Sequence, residues 1–194
     1  MKNTNLYNTF LILVLVIFIA GCEKKMASTQ IKTKHNITIP ERQTPVIAVG
    51  ESYCGGIIFY VDSTKKHGLI AAANQMLHAK WGCFEKTIGG TSAAVGAGQA
   101  NTLAIINACD SVNIAARVCN DLVLNGYSDW FLPSKGELDL LYNNKTLFRG
   151  IKTDYYWSST EVDGGKAQCQ DFYDGHHMKY EKSKVYNIRA VRAF

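Results

Sequence analysis

The sequence predicts an α+β domain, with two to three short helices in the middle and antiparallel strands from both ends. Three observations carry this. Runs rich in Ile, Val, Tyr and Phe lie near both ends of the region after residue 51, and helical periodicities lie between them. Ser134 and Glu137 stand three residues apart, just ahead of Leu138 and Leu141. That is a capping box, in which hydroxyl and carboxylate each satisfy a free amide at a helix start. Finally, Lys65-Lys66-His67-Gly68 and Asp174-Gly175 interrupt apolar runs in the manner of tight turns.

In chain order, Tyr53 to Val61 reads as a strand that returns through Leu69 to Ala73 as a hairpin. Ile88 to Gly98 is mostly Gly, Ala and Ser, too poor in large side chains to pack, and is expected as a surface loop. Asn101 or Thr102 can cap a helix running through about Ala108, with Leu103 and Ile106 sharing a face. A second helix starts near Asn113, with Ile114, Val118 and Leu122 recurring every four residues, and stops at Asn125-Gly126. Pro133 holds Leu132 extended before the capped third helix. Tyr155 to Ser159 and Ala167 to Tyr173 read as strands. Asp174-Gly175 turns the second of them back into His176 to Tyr180, and Val185 to Phe194 closes the chain as a last strand.

The first 21 residues carry one charge, Lys2, before the apolar run Phe10 to Ile19, which is too short to span a bilayer and reads as a secretory signal. Ala20-Gly21 directly before Cys22 forms a lipobox, which predicts cleavage there and acylation of the Cys22 thiol. Two or more acyl chains would hold the protein stably on a membrane, so the expected location is the cell envelope, at the outer membrane or cell surface. Residues 22–51, with Pro40, Pro45 and few large apolar side chains, read as a tether, and residues 52–194 as the domain.

The formal charge of +5 is uneven: +3 comes from residues 23–50 and only +1 from residues 51–194. The domain is near neutral, so bulk charge gives no support to a nucleic-acid partner. Locally, His176, His177, Lys179, Lys182 and Lys184 make a basic segment suited to sulfates or carboxylates; a lysine-protected edge strand would give the same pattern. Arg189 and Arg192 are three apart, so on one strand they face opposite ways, and one of them is expected to be a buried structural arginine. Five cysteines remain after Cys22, an odd number. The expected bridges are Cys109 with Cys119, flanking the Asp110 to Asn113 break, and Cys54 with Cys83; the alternative is that some of these are small buried hydrophobes.

Gly126-Tyr-Ser-Asp-Trp-Phe-Leu-Pro-Ser-Lys-Gly-Glu-Leu138, Tyr156-Trp-Ser-Ser-Thr160 and Arg189-Ala-Val-Arg-Ala-Phe194 resemble the Lcl C-terminal domain family, named from the collagen-like adhesin of Legionella. Gly96-Ala-Gly-Gln-Ala-Asn101 and Ile114-Ala-Ala-Arg-Val-Cys119 add to the resemblance, which runs from about Ser52 to Phe194. It implies a C-type-lectin-like fold, binding of sulfated polysaccharides and assembly as a homotrimer. The collagen-like stalk of that adhesin has no counterpart here.

Trp130, Phe131 and Trp157 offer aromatic faces to a sugar ring. Trp130 is expected in the core with its indole N–H tied to backbone, and the internal look of the Tyr156 to Thr160 strand argues the same for Trp157, which stays a binding candidate. No Gly-x-Ser-x-Gly, His-Glu-x-x-His or Cys-x-x-Cys pattern is present, and His78 near Cys83 is the sole hint of a nucleophilic dyad. The Gly96 to Asn101 segment lacks the strand and third glycine of a nucleotide loop. The calcium-binding segments of sugar-binding C-type lectins are missing, leaving Glu161-Val-Asp163-Gly as a weak ion loop. No catalytic residue, metal or cofactor is therefore assigned. The expected function is a non-catalytic adhesion module for anionic glycans, with an envelope scaffold or protein-interaction lipoprotein as the alternative and a carbohydrate-active enzyme third.

Overall fold

The computed structural model describes residues 47–74 and 77–194. Cys22, the leader and most of the tether lie outside the described residues. The domain is α+β, with two sheets and three helices between their strands in sequence.

Strands β1 (Ser52–Tyr53), β2 (Gly56–Val61) and β3 (Gly68–Ala71) form an antiparallel meander, and β9 (Val191–Ala193) pairs with β3 as Leu69↔Ala193 and Ala71↔Val191. The two ends of the domain therefore meet in one sheet. β2 is apolar along its length because both its faces are covered. Ile58 packs with Ile70, Trp81, Trp157 and Ile188, while Phe59 packs with Leu138, Leu141, Phe172 and Val191.

The second sheet has the order β4 (Leu77–Lys80), β8 (Val185–Ile188), β5 (Tyr155–Glu161), β6 (Lys166–Asp171), β7 (His177–Glu181), antiparallel except for the β5–β8 contact. It curls strongly: Tyr180 on edge strand β7 meets Tyr186 on β8, three strands away in sheet order, at a ring separation of 5.3 Å. Tyr155 closes this aromatic triad at 5.1 and 5.2 Å.

Helix α3 (Lys135–Asn143) starts where the capping box places it. Ser134 Oγ accepts from the Glu137 amide at 3.2 Å, and Glu137 Oε2 accepts from the Ser134 amide at 2.8 Å. Helix α1 (Gly98–Ala108) begins four or five residues earlier than a cap at Asn101 or Thr102 would place it, with no side-chain cap. Its inward face is Gly98, Asn101, Thr102 and Ile105, while Leu103 is 49 % exposed. Asn101 and Thr102 are polar pins in this face instead of caps. Asn101 Nδ2 donates to Ser92 O and Ser159 Oγ, and Thr102 Oγ1 accepts from the Leu132 amide. Helix α2 (Ala115–Asn120) is shorter than the four-residue periodicity suggests, because Leu122 lies past its end. Asn125-Gly126 makes a small hairpin instead, in which Leu124 and Tyr127 exchange backbone hydrogen bonds. The expected last strand is two strands in different sheets, parted at Arg189-Ala190.

The expected disulfides do not form. Cys83 bonds to Cys109, with 5.8 Å between their Cα atoms, so Cys83 is not the partner of Cys54, and Cys109 is not the partner of Cys119. Cys119 is a free, buried thiol, as is Cys169. In Cys119 burial alone pushes the thiol pKa up, and in Cys169 burial, followed by the charge of Asp171, pushes it to about 12.

Candidate functional site

The basic segment His176 to Lys184 divides into structural and available residues. Lys182 is the structural extreme, with a side chain that is 0 % exposed. The curl of the second sheet brings its backbone between two other loops: its amide donates to Gly165 O and its carbonyl accepts from the Gly82 amide. Its ammonium donates to Glu161 Oε1 at 2.6 Å and to Lys86 O at 2.9 Å, and lies 4.6 Å from the centre of the Trp81 ring. Lys182 is therefore no ligand-binding lysine but a pin that closes the curled sheet. Glu161 also accepts from the amides of Ile88 and Gly89. Desolvation is the largest single influence on Glu161 and raises its pKa, but those amides and the Lys182 ammonium outweigh it and hold the carboxyl below its ordinary range. Glu161 is thus engaged within the fold, and Asp163 accepts from the Gly165 and Lys166 amides.

His177 faces helix α3, where its Nε2 lies 2.6 Å from Asp139 Oδ1, an atom that also accepts from Gln170 Nε2. His176 is exposed and pairs locally with Asp174. Lys179 on β7 and Lys184 after the β7–β8 turn are exposed and have no acidic partner among the described residues. Lys80, missed from the sequence, joins them: it is exposed at the end of β4 and is register partner to Val185, next to Lys184. Alternation around Ala79 was the available signal, but the pairing that brings it to Lys184 is long-range.

The remaining candidates are interior. Trp157 is fully buried against Tyr186 and presents no face to a sugar. Trp130 is buried with its indole N–H donating to Tyr127 O. Both arginines of the last segment are buried. Arg192 donates through Nε and Nη2 to the two Asp129 oxygens at 2.7 Å, and through Nη1 to Cys54 O. Arg189 has no carboxylate partner among the described residues; Nη1 donates to the carbonyls of Ala72 and Ala73, and desolvation lowers its pKa. Glu137, besides its capping role, accepts from the Gly96 and Gly98 amides and so ties the glycine loop to α3.

His78 cannot be half of a cysteine dyad with Cys83, whose sulfur is in a disulfide. Among the described residues no three His, Cys, Asp or Glu converge as metal ligands. A polar hollow of about 270 Å³ lies beside His78, Lys152, Asp154 and Asn187. A larger cleft of about 450 Å³ lies between the loop after β4 and residues 111–114.

The family model described as Lcl C-terminal domain matches residues 78–192. The chain belongs to the Lcl C-terminal domain family. The match takes in all three helices and all of the second sheet except Leu77, and it ends in β9, leaving β1 to β3 outside. A fimbrial protein from Bacteroides ovatus has a similar fold, with a TM-score of 0.50 and 14% sequence identity over 78% of this chain. The likeness covers 45% of that protein, so this chain corresponds to less than half of it. No curated protein matches the chain significantly. No helix among the described residues is long and apolar enough to cross a membrane.

Proposed function

We propose that this Lcl C-terminal domain protein is a non-catalytic surface module that holds anionic glycans, displayed on the cell envelope through an acylated Cys22. The observation that carries this is the set of exposed, acid-free cations Lys80, Lys179 and Lys184, on or beside the curled sheet. A lysine ammonium on a flexible stem meets sulfate or carboxylate as a point charge, and such contacts weaken as salt screens them. Four carboxylates of the domain, Glu137, Asp139, Glu161 and Asp163, are engaged within the fold, where each accepts hydrogen bonds, which favours a holding role over a catalytic one. The fimbrial fold relative supports a surface role, and the C-type-lectin-like fold and homotrimer belong to the same proposal.

The test is heparin binding by the full chain at two ionic strengths, with wild type against Lys179→Ala/Lys184→Ala. Weaker binding in high salt and in the variant is expected. Binding indifferent to both overturns electrostatic recognition. Lys182 is left out of the variant because its loss would report on folding instead.

A further inference from the structure

The cleft of about 450 Å³ is lined by Lys80, Gly82, Cys83 and Phe84 on one side, by residues 111–114 on the other, and by Lys182 and Ser183. Its volume falls in the range of about 300 to 1,000 Å³ typical of small-molecule sites. Two large apolar side chains stand open there, Phe84 at 46 % and Val112 at 74 % exposure. Ser111, Asn113 and Ser183 add hydroxyl and amide groups along the same lining. Lys182 supplies no free charge, since Glu161 neutralises it, and Lys80 is the exposed cation of the lining.

The walls are fixed before any ligand arrives. The Cys83–Cys109 disulfide joins the two loops, and Lys80 bridges to Ile114. Gly82 has φ +104°, and a Cβ there would strike the Ile114 side chain, so only glycine allows this close approach. Cys83 and Glu85 hold left-handed backbone at φ 50° and 67°, a conformation that residues of these types keep only where the surroundings impose it. Rigid walls lower the ordering cost of binding.

We propose that this cleft seats one anionic pyranose unit, with the apolar C–H face of the ring against Phe84 and Val112. Its hydroxyls meet Ser111, Asn113 and Ser183, and its carboxylate or sulfate meets Lys80. The proposal rests on the glycan-binding function above and gives it a location.

The experiment titrates the full chain with a heparin tetrasaccharide and, in parallel, with neutral maltotetraose, using wild type, Phe84→Ala, Lys80→Ala and Lys179→Ala/Lys184→Ala. At least tenfold weaker heparin binding is expected for Phe84→Ala and for Lys80→Ala. Amide shifts in wild type are expected to concentrate at residues 82–85 and 111–114, a readout that needs no variant. Wild-type affinity in both single variants, with weakened binding in the Lys179/Lys184 variant, overturns the cleft and leaves the glycan function standing. Equal affinity for maltotetraose overturns the role of Lys80, and no heparin binding by wild type overturns the function and the cleft together.

Discussion

Removing the Lys182 ammonium would leave Glu161 buried without its countercharge, and breaking a buried pair from one side costs about 3 to 5 kcal/mol. Lys182→Ala is therefore expected to lose that much in denaturant unfolding. Glu161→Gln keeps only one acceptor oxygen for the Ile88 and Gly89 amides, which donate to different carboxylate oxygens, and leaves the buried Lys182 ammonium without a countercharge, so a loss of similar size is expected. The pH dependence follows from the same site. The folded pKa of Glu161 is depressed, so its contribution is present above the ordinary carboxylate range and is lost as pH falls through the folded value. Glu137 works in the opposite sense: burial, its largest influence, raises its pKa, so its contribution declines as pH rises from the ordinary value through the folded one. Stability measured from neutral pH to about pH 3 should fall less steeply in Glu161→Gln than in wild type; an unchanged slope would exclude this pair as a source of acid sensitivity. Nothing near Lys182 in the sequence separates it from Lys179 and Lys184. Its burial comes from Trp81, Lys86 and Glu161, which are 21 or more positions away.

Helix α3 shows what local chemistry can decide. Its cap involves atoms three residues apart, so the sequence alone sufficed to place its first turn. Ser134 also donates to Ala94 O, so Ser134→Ala removes a cap and an anchor of the glycine loop. The expected loss is about 1 to 2 kcal/mol by thermal unfolding; no change would mean that water replaces both bonds. Gly98→Ala tests the same junction from the other side, since a methyl there would fall on the Glu137 carboxylate and the Phe131 ring. Helix α1 was harder to bound because it starts without a cap, and α2 because its apolar repeat continues past the last helical turn. The tight turn at Asp174-Gly175 was readable for the same reason as the cap, since the required φ of +87° is set at Gly175 itself.

At the scale of the whole molecule, what escaped the sequence is pairing between distant segments. Cys83 and Cys109 are 26 positions apart and meet because β4 and the end of α1 converge. Closing a loop of that size restricts the unfolded chain, so Cys83→Ser/Cys109→Ser is expected to cost about 3 to 4 kcal/mol. Alkylation should reach Cys119 and Cys169 only after unfolding, and Cys83 and Cys109 only after reduction. Native labelling of Cys119 would show that the α2 interface opens.

The closure of the two chain ends supplies a sharper test. β9 is only three residues long, yet it pairs with β3, exchanges backbone bonds with Phe131 through Val191 and carries Arg192. The Arg192 guanidinium holds Asp129 through two bonds, reaches Cys54 O with a third nitrogen and stacks 4.0 Å from the Tyr127 ring centre. A lysine offers one point charge and cannot reproduce that fork or the stacking. Asp129 is about half exposed, which tempers the ion pair itself, so most of the Arg192 contribution is geometric. Arg192→Ala is expected to cost about 2 kcal/mol in denaturant unfolding, with Arg192→Lys recovering less than half of it. Full recovery by lysine would show that charge alone holds β9, and that the three-nitrogen grip on Asp129 and Cys54 contributes little.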